Sequence, residues 1–299
     1  MTEDTTRINW YPGHMAKVRR QLGEQLRRVD LVIELCDARL PHASRNPELA
    51  KLTGGKKRLL VMNKADLADP AVTGRWMDAF RREGMEATQM DATRIRGKET
   101  LGLIDRATRE IVEKAAARGI RKTVKAMIVG VPNVGKSTLI NRLHGGAIAK
   151  TGDRPGVTRA SQWVRITPYL ELLDTPGLLW PRLDDQTAAR RLCYIGSISD
   201  EAVPLDEIAL SLLNDLMETC PERVMDRFHV TEEGLRGAEL MDAVCRGRGW
   251  LLRGGEYDYD RGYRVVLDEF RGGKLGRISL EAPEDLPESR RTKQEAQDA

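Results

Sequence analysis

Gly130-Val131-Pro132-Asn133-Val134-Gly135-Lys136-Ser137 is the stretch on which the reading of this chain turns. Lys122 to Val129 before it is a short apolar, β-branched run, and Ser137 to Leu143 after it carries apolar residues at helical spacing. The order predicts strand, loop, helix. In that setting the loop amides gather at a helix N-terminus, where unpaired N–H groups and the helix dipole favour an anion such as phosphate. Val134, Gly135, Lys136, Ser137 and Thr138 are expected to hold nucleotide phosphates, with Lys136 at the β and γ positions and the Ser137 hydroxyl on Mg²⁺.

Further short motifs point to the same chemistry. Asp174-Thr175-Pro176-Gly177 follows the apolar Tyr169 to Leu173, which puts Asp174 at a strand end, where it would hold Mg²⁺ through water, with Gly177 near the γ-phosphate. Asn63-Lys64-Ala65-Asp66 follows the apolar run Arg58 to Met62, and the Asp66 carboxylate suits the paired N1–H and N2–H₂ donors of guanine, which adenine does not offer. Alone, either motif is an ordinary polar turn; with the phosphate loop they make a nucleotide site. Thr158, within Arg154-Pro155-Gly156-Val157-Thr158-Arg159, is placed to complete the Mg²⁺ shell and sense the γ-phosphate. Arg154 and Arg159 beside it are either fingers in cis or contacts to RNA phosphate. Asp91-Ala92-Thr93 follows Met85 to Met90, and the Ala92 N–H is expected to meet the guanine oxygen.

In a Ras-like chain the guanine motif follows the phosphate loop. Here it precedes it, and after Gly177 the chain runs into about 120 further residues instead. The order predicts a circularly permuted GTPase domain in which nucleotide state reaches the C-terminal half through Leu178 to Asp184.

This order, together with Trp10-Tyr11-Pro12-Gly13-His14-Met15-Ala16-Lys17, Asp37-Ala38-Arg39-Leu40-Pro41 and Ser44-Arg45-Asn46-Pro47, resembles the ribosome biogenesis GTPase A family of bacteria and organelles, over motifs from Trp10 to about Pro181. The resemblance implies hydrolysis of GTP to GDP and phosphate by a factor that binds the immature large (50S) ribosomal subunit, its rRNA and ribosomal proteins, in the GTP state, leaves after hydrolysis, and is monomeric off the ribosome. Leu178-Leu179 stand where Ras-like enzymes carry the water-orienting glutamine, and the resemblance implies that His14 serves hydrolysis instead, alongside Lys136 and Thr158, the other reading being that His14 docks the N-terminal segment on the domain or on RNA. Asn133 is, by the same resemblance, either a potassium ligand beside the phosphates or a loop-capping asparagine. Permuted GTPases of the small subunit share the motif order but pair it with an OB-type domain and a Cys/His zinc cluster, and neither is visible in this sequence. The reading from another class is a GTP-dependent switch or scaffold that hydrolyses only incidentally.

Strand and helix patterns alternate up to Asp174: strands Leu31 to Cys36, Arg58 to Met62 and Met85 to Met90, and helices near Pro47 to Leu52, over Pro70 to Arg82 and over Lys98 to Arg118. The pair Gln162 to Ile166 and Tyr169 to Asp174 completes a mostly parallel sheet with helices on both faces. Helical periodicity then dominates through Thr187 to Tyr194, Leu205 to Glu218, Glu232 to Arg246 and Tyr259 to Arg271. The expected division is residues 1–183 as N-terminal segment and GTPase domain, 184–280 as a small all-helical domain, for which the resemblance implies rRNA binding, and 281–299 as a charged tail without fixed structure.

A net charge of +4 suits a polyanionic partner without identifying one. In the helical part, Arg246-Gly247-Arg248-Gly249-Trp250 is expected either to approach an RNA backbone and stack a base on Trp250 or to keep that tryptophan in the core. The four cysteines lie far apart, which argues against structural zinc. The polar, acidic start and the lack of a long apolar run predict a cytoplasmic chain with no membrane partner.

Overall fold

The computed structural model of this 299-residue chain describes residues 20, 22–47, 49–94, 97–147, 161–177 and 185–286. Six strands form one sheet: β1 (Leu31–Asp37), β2 (Lys57–Asn63), β3 (Ala87–Gln89), β4 (Val124–Val129), β5 (Gln162–Thr167) and β6 (Leu170–Asp174). Their order across the sheet is β3-β2-β1-β4-β6-β5, parallel except for the β5–β6 hairpin. β1 is buried along its whole length, as a central strand covered on both faces must be.

Between the strands lie α1 (Leu49–Thr53), α2 (Pro70–Arg82), α3 (Gly97–Ala116) and α4 (Lys136–His144). α2 starts where the sequence predicts, because Pro70 sits at the first helical position and Asp69 caps the helix, its side chain accepting from the Ala71 and Val72 amides. From β1 the chain steps outward to β2 and β3, then returns to lay β4 on the other side of β1. The sheet's switch point therefore falls between β1 and β4, and a crevice for a ligand is expected at the carboxyl ends of those strands.

The helical half comprises α5 (Gln186–Tyr194), α6 (Leu205–Thr219), α7 (Pro221–Phe228), α8 (Gly237–Arg248) and α9 (Tyr259–Arg271). In this half two boundaries differ from expectation by more than one residue. Pro221 does not merely end α6; it opens α7 at the first position, where its missing N–H costs nothing. α8 begins at Gly237 rather than Glu232, since Gly234 and Gly237 both take positive φ and break the helical path.

One buried apolar cluster runs through both halves: Leu31, Ile33 and Ile128 of the sheet belong to it with Leu212, Leu213 and Leu267 of the helices. The expectation of a structureless tail from Glu281 is corrected for its first residues. Glu281 is buried, and the Glu281 carboxylate accepts from the His42 and Ala43 amides and pairs with Arg191 at 3.2 Å. Residues 287–299 lie outside the described residues. Among the described residues no helix is long and apolar enough to cross a membrane.

Candidate functional site

The carboxyl ends of β4, β6 and β2 bring the expected motifs together. β4 runs into the loop Gly130–Lys136, and α4 starts from Gly135 in the left-handed conformation (φ 96°), as the sharp entry to this helix requires. A Cβ at Gly135 would overlap the Asn63 side-chain amide, so this glycine is fixed by space as well as by φ. Asn133 also has positive φ (62°), and its Nδ2 donates to the Gly196 carbonyl at 2.6 Å. Next to it, Ser197 Oγ donates to the Pro132 carbonyl at 2.7 Å. The turn after α5 is thus bonded directly to the phosphate loop.

Lys136 is folded back into the loop, its ammonium donating to the Gly130 and Val131 carbonyls at 3.0 and 2.9 Å. Burial pulls its pKa down to about 8, with Asp174 pushing partly the other way. Asp174 ends β6, fully buried, and burial raises its pKa against the opposing Lys136 charge and the Ser137 hydroxyl, whose Oγ lies 3.5 Å away. Its Oδ1 has no hydrogen-bond partner among the described residues. A buried, unsatisfied carboxylate oxygen beside a hydroxyl and a lysine is the donor set a hard divalent cation would complete, so these residues fit Mg²⁺. Thr175 holds the following turn by donating to the Ile128 carbonyl at 2.6 Å. Gly177 lies so close to the phosphate loop that a Cβ there would come within 2.7 Å of Pro132.

Asn63, at the end of β2, does something the sequence does not announce. Its Nδ2 donates to the Val134 carbonyl at 2.7 Å and its Oδ1 accepts from the Ala92 amide at 2.9 Å. One buried side chain therefore ties the phosphate loop to the loop after β3. The Ala92 N–H, expected to meet a guanine oxygen, here donates to the Asn63 side-chain carbonyl. Lys64 has positive φ (59°), and its ammonium lies 3.3 Å from Asp37 Oδ2. Asp66 is exposed. Thr138 follows Ser137 in the first turn of α4. His14, Thr158, Arg154, Arg159 and the Leu178–Asp184 connection lie outside the described residues.

Asp37 is a residue that sequence reasoning quoted without assigning a role. It is fully buried at the end of β1, opposite Asn63 in register, and takes a two-pronged pairing from Arg39, Nε to Oδ1 at 2.9 Å and an NH2 bond to Oδ2 at 2.8 Å. Burial alone would raise its pKa; Arg39 and Lys64 outweigh that and hold it well below the usual carboxylate range. Arg39 in turn donates to the Phe270 carbonyl at 2.9 Å and lies over the Phe270 ring. The guanine motif is thereby wired to the end of α9.

In the helical half, the basic segment near Trp250 takes the core reading. Trp250 is buried, with Arg248 and Arg261 against its ring at 5.2 and 5.7 Å, and Arg248 also pairs with Glu269. The exposed apolar residues there are Leu251 and Leu252.

Comparison with known proteins agrees with this arrangement. Residues 125–231 match the family model described as 50S ribosome-binding GTPase. A relative from Bacillus cereus named ribosome biogenesis GTPase A is 46% identical over 283 residues, covering 94% of this chain and 96% of that protein. The GDP-bound structure of YlqF from T. maritima, 27% identical, superposes with a TM-score of 0.68 over 89% of this chain and 100% of that one. The GNP-bound structure of the same protein gives a TM-score of 0.66 over 90% of this chain.

Proposed function

The chain belongs to the ribosome biogenesis GTPase A family and is a GTPase of ribosome biogenesis, and from that premise we propose that it works on the large subunit, binding the immature particle with GTP and leaving once GTP is hydrolysed. The description of the matching family model, a 50S ribosome-binding GTPase, supports the choice of subunit. The observation that carries the nucleotide part is the Asn63 bridge, which joins the guanine motif's own first residue to the phosphate loop more than sixty residues later in the chain.

On this reading Asp66 takes the N1 and N2 donors of guanine and Lys64 packs beside the base. The amides of Val134 to Thr138 and the Lys136 ammonium hold the phosphates at the start of α4. Phosphate oxygens would draw the Lys136 ammonium off the Gly130 and Val131 carbonyls, which serve as its resting partners. Ser137, Asp174 and Thr158 are the residues that would hold Mg²⁺, which neutralises phosphate charge when bound. His14 is the proposed water-orienting residue, since Leu178 and Leu179 have no polar atom for that task. K⁺ beside Asn133 remains part of the proposal: its Nδ2 is engaged by Gly196, which points the amide oxygen away from that carbonyl. Equal turnover in potassium and sodium salts would remove it.

The test is the GTP hydrolysis rate of the full chain in potassium buffer with purified large subunits, small subunits serving as control. Stimulation by large subunits alone is expected. Equal rates with either particle would favour a GTP-dependent switch with a different partner.

A further inference from the structure

The segment after α9 does not end at the helical bundle. From Leu275 to Leu286 it returns across the sheet domain, with Leu275, Ile278, Ser279, Leu280 and Glu281 buried. Its path lies along the guanine-recognition loop. Arg277 Nε donates to the Ala68 carbonyl at 3.0 Å, and its NH2 donates to the Ala65 carbonyl at 3.1 Å. The Ile278 amide donates to the Leu67 carbonyl at 2.9 Å, and Ser279 Oγ accepts from the Asp69 amide at 3.1 Å. Three carbonyls and one amide around exposed Asp66 are therefore fixed by a strap some two hundred residues away in sequence.

The strap is itself pinned at both ends. Arg223 donates to the Arg277 carbonyl at 2.5 Å, on the bundle side. On the other side the Leu280 amide donates to the Arg39 carbonyl at 3.0 Å, Glu281 is locked by the His42 and Ala43 amides, and the Trp76 indole donates to the Glu281 carbonyl at 3.0 Å. A loop held only by its neighbours in sequence would be free to rock; this one is fastened to the helical half.

We propose that Arg277 and the strap around it position the guanine-recognition loop, so that base discrimination and nucleotide release are set from the C-terminal helical half. The proposal rests on the reading of Asp66 as the guanine acceptor. Arg277 is proposed to act through the Ala65 carbonyl, in the peptide that leads into Asp66, and the Ala68 carbonyl two residues further on, which together fix the turn that carries the Asp66 carboxylate. Charge-assisted hydrogen bonds of this kind are among the stronger polar contacts, and losing both lets the loop sample positions in which Asp66 meets only one of the two guanine donors.

The test uses the full-length protein and its Arg277→Ala, Arg277→Lys and Ser279→Ala variants. GDP carrying a ribose fluorophore is chased with excess GDP to read release, and inosine diphosphate, which lacks the 2-amino group, competes to read discrimination. Arg277→Ala is expected to release GDP about tenfold faster, to shrink the preference for GDP over inosine diphosphate, and to raise the KM for GTP while kcat changes by less than about twofold. Arg277→Lys keeps one donor and recovers part of the preference. Ser279→Ala, the milder change, shifts release in the same direction by about twofold. An Arg277→Ala protein with a lower melting temperature but an unchanged preference between the two diphosphates would make the strap a structural brace only and overturn the proposal. A wild-type protein that binds GDP and inosine diphosphate equally would overturn the reading of Asp66 beneath it, and the proposal with it.

Discussion

The two loops that close on the candidate site are supported to different degrees from within. The phosphate loop is short-circuited upon itself: Lys136 folds back onto Gly130 and Val131, and α4 grows directly out of Gly135. The guanine loop has little of its own. It depends on Asp37 and Arg39 beneath it and on the Arg277–Ser279 strap beside it, both of which lead to the end of α9. The lesson is that the chemistry of a motif is local in sequence while the accuracy with which it is held is not. In this chain both loops touch the helical half, the phosphate loop through Gly196 and Ser197 after α5 and the guanine loop through Arg39 and the strap, but only the phosphate loop also carries support of its own.

Breaking the remote support is expected to have the largest effect. Arg39→Met would leave the buried Asp37 carboxylate with the Lys64 ammonium and the residue-39 amide but no guanidinium, and free the Phe270 carbonyl, at a cost of about 3–5 kcal/mol in denaturant unfolding. The stability that Asp37 supplies has a defined pH sense. Its folded pKa lies below the ordinary value, so the contribution is present above that value and is lost as pH falls through the folded pKa.

Lys136→Ala attacks the self-supported loop. Hydrolysis is expected to fall by at least about a hundredfold, as for loss of one transition-state charge donor, with about 1–3 kcal/mol lost in stability because the Gly130 and Val131 carbonyls lose their donor and buried Asp174 its opposing charge. A loss of stability as large as that of Arg39→Met would erase the contrast between the loops.

Asn63→Ala touches both loops at once. It strands the Val134 carbonyl and the Ala92 amide, an expected cost of about 1–3 kcal/mol in stability, with GDP affinity falling alongside. Affinity that survives would mean that the two loops are joined by other contacts.

The smallest effect is one of pH. Lys136 loses its proton in the free protein near pH 8, and phosphate oxygens favour the charged form, so nucleotide binding above pH 8 should take up a proton. GDP affinity is then expected to weaken by up to about tenfold per unit as pH rises past 8. Calorimetry in buffers of differing ionisation enthalpy measures the proton directly. Lys136→Met should abolish the uptake.

Much of this arrangement could be read from sequence, for identifiable reasons. The phosphate loop, α2 with its Asp69 cap and Pro70, and α9 carry their signals within a few residues, and the structure places them accordingly. α7 was hidden because Pro221 serves equally as a stop and as a first helical residue. The strap was hidden because its bonds run to main-chain carbonyls and amides, which leave no trace in side-chain pattern. The same holds for Ala92. Nothing in Asp91-Ala92-Thr93 indicates that its amide is claimed by an asparagine 29 positions earlier.

The central claim is that motifs separated and reordered along the chain close on a single nucleotide, and Asp66→Asn tests it most directly. Exchanging the acceptor for an amide removes the match to the guanine donors and offers a donor to the 2-oxygen of xanthine. The measurement is steady-state hydrolysis of GTP and of xanthosine triphosphate by wild type and variant. The account predicts that the preference moves from GTP toward xanthosine triphosphate by about a hundredfold or more, with the Lys136 and Asp174 chemistry intact. A variant that still hydrolyses GTP in preference would contradict it, since the base would then be recognised somewhere other than the loop that Asn63 binds to the phosphates.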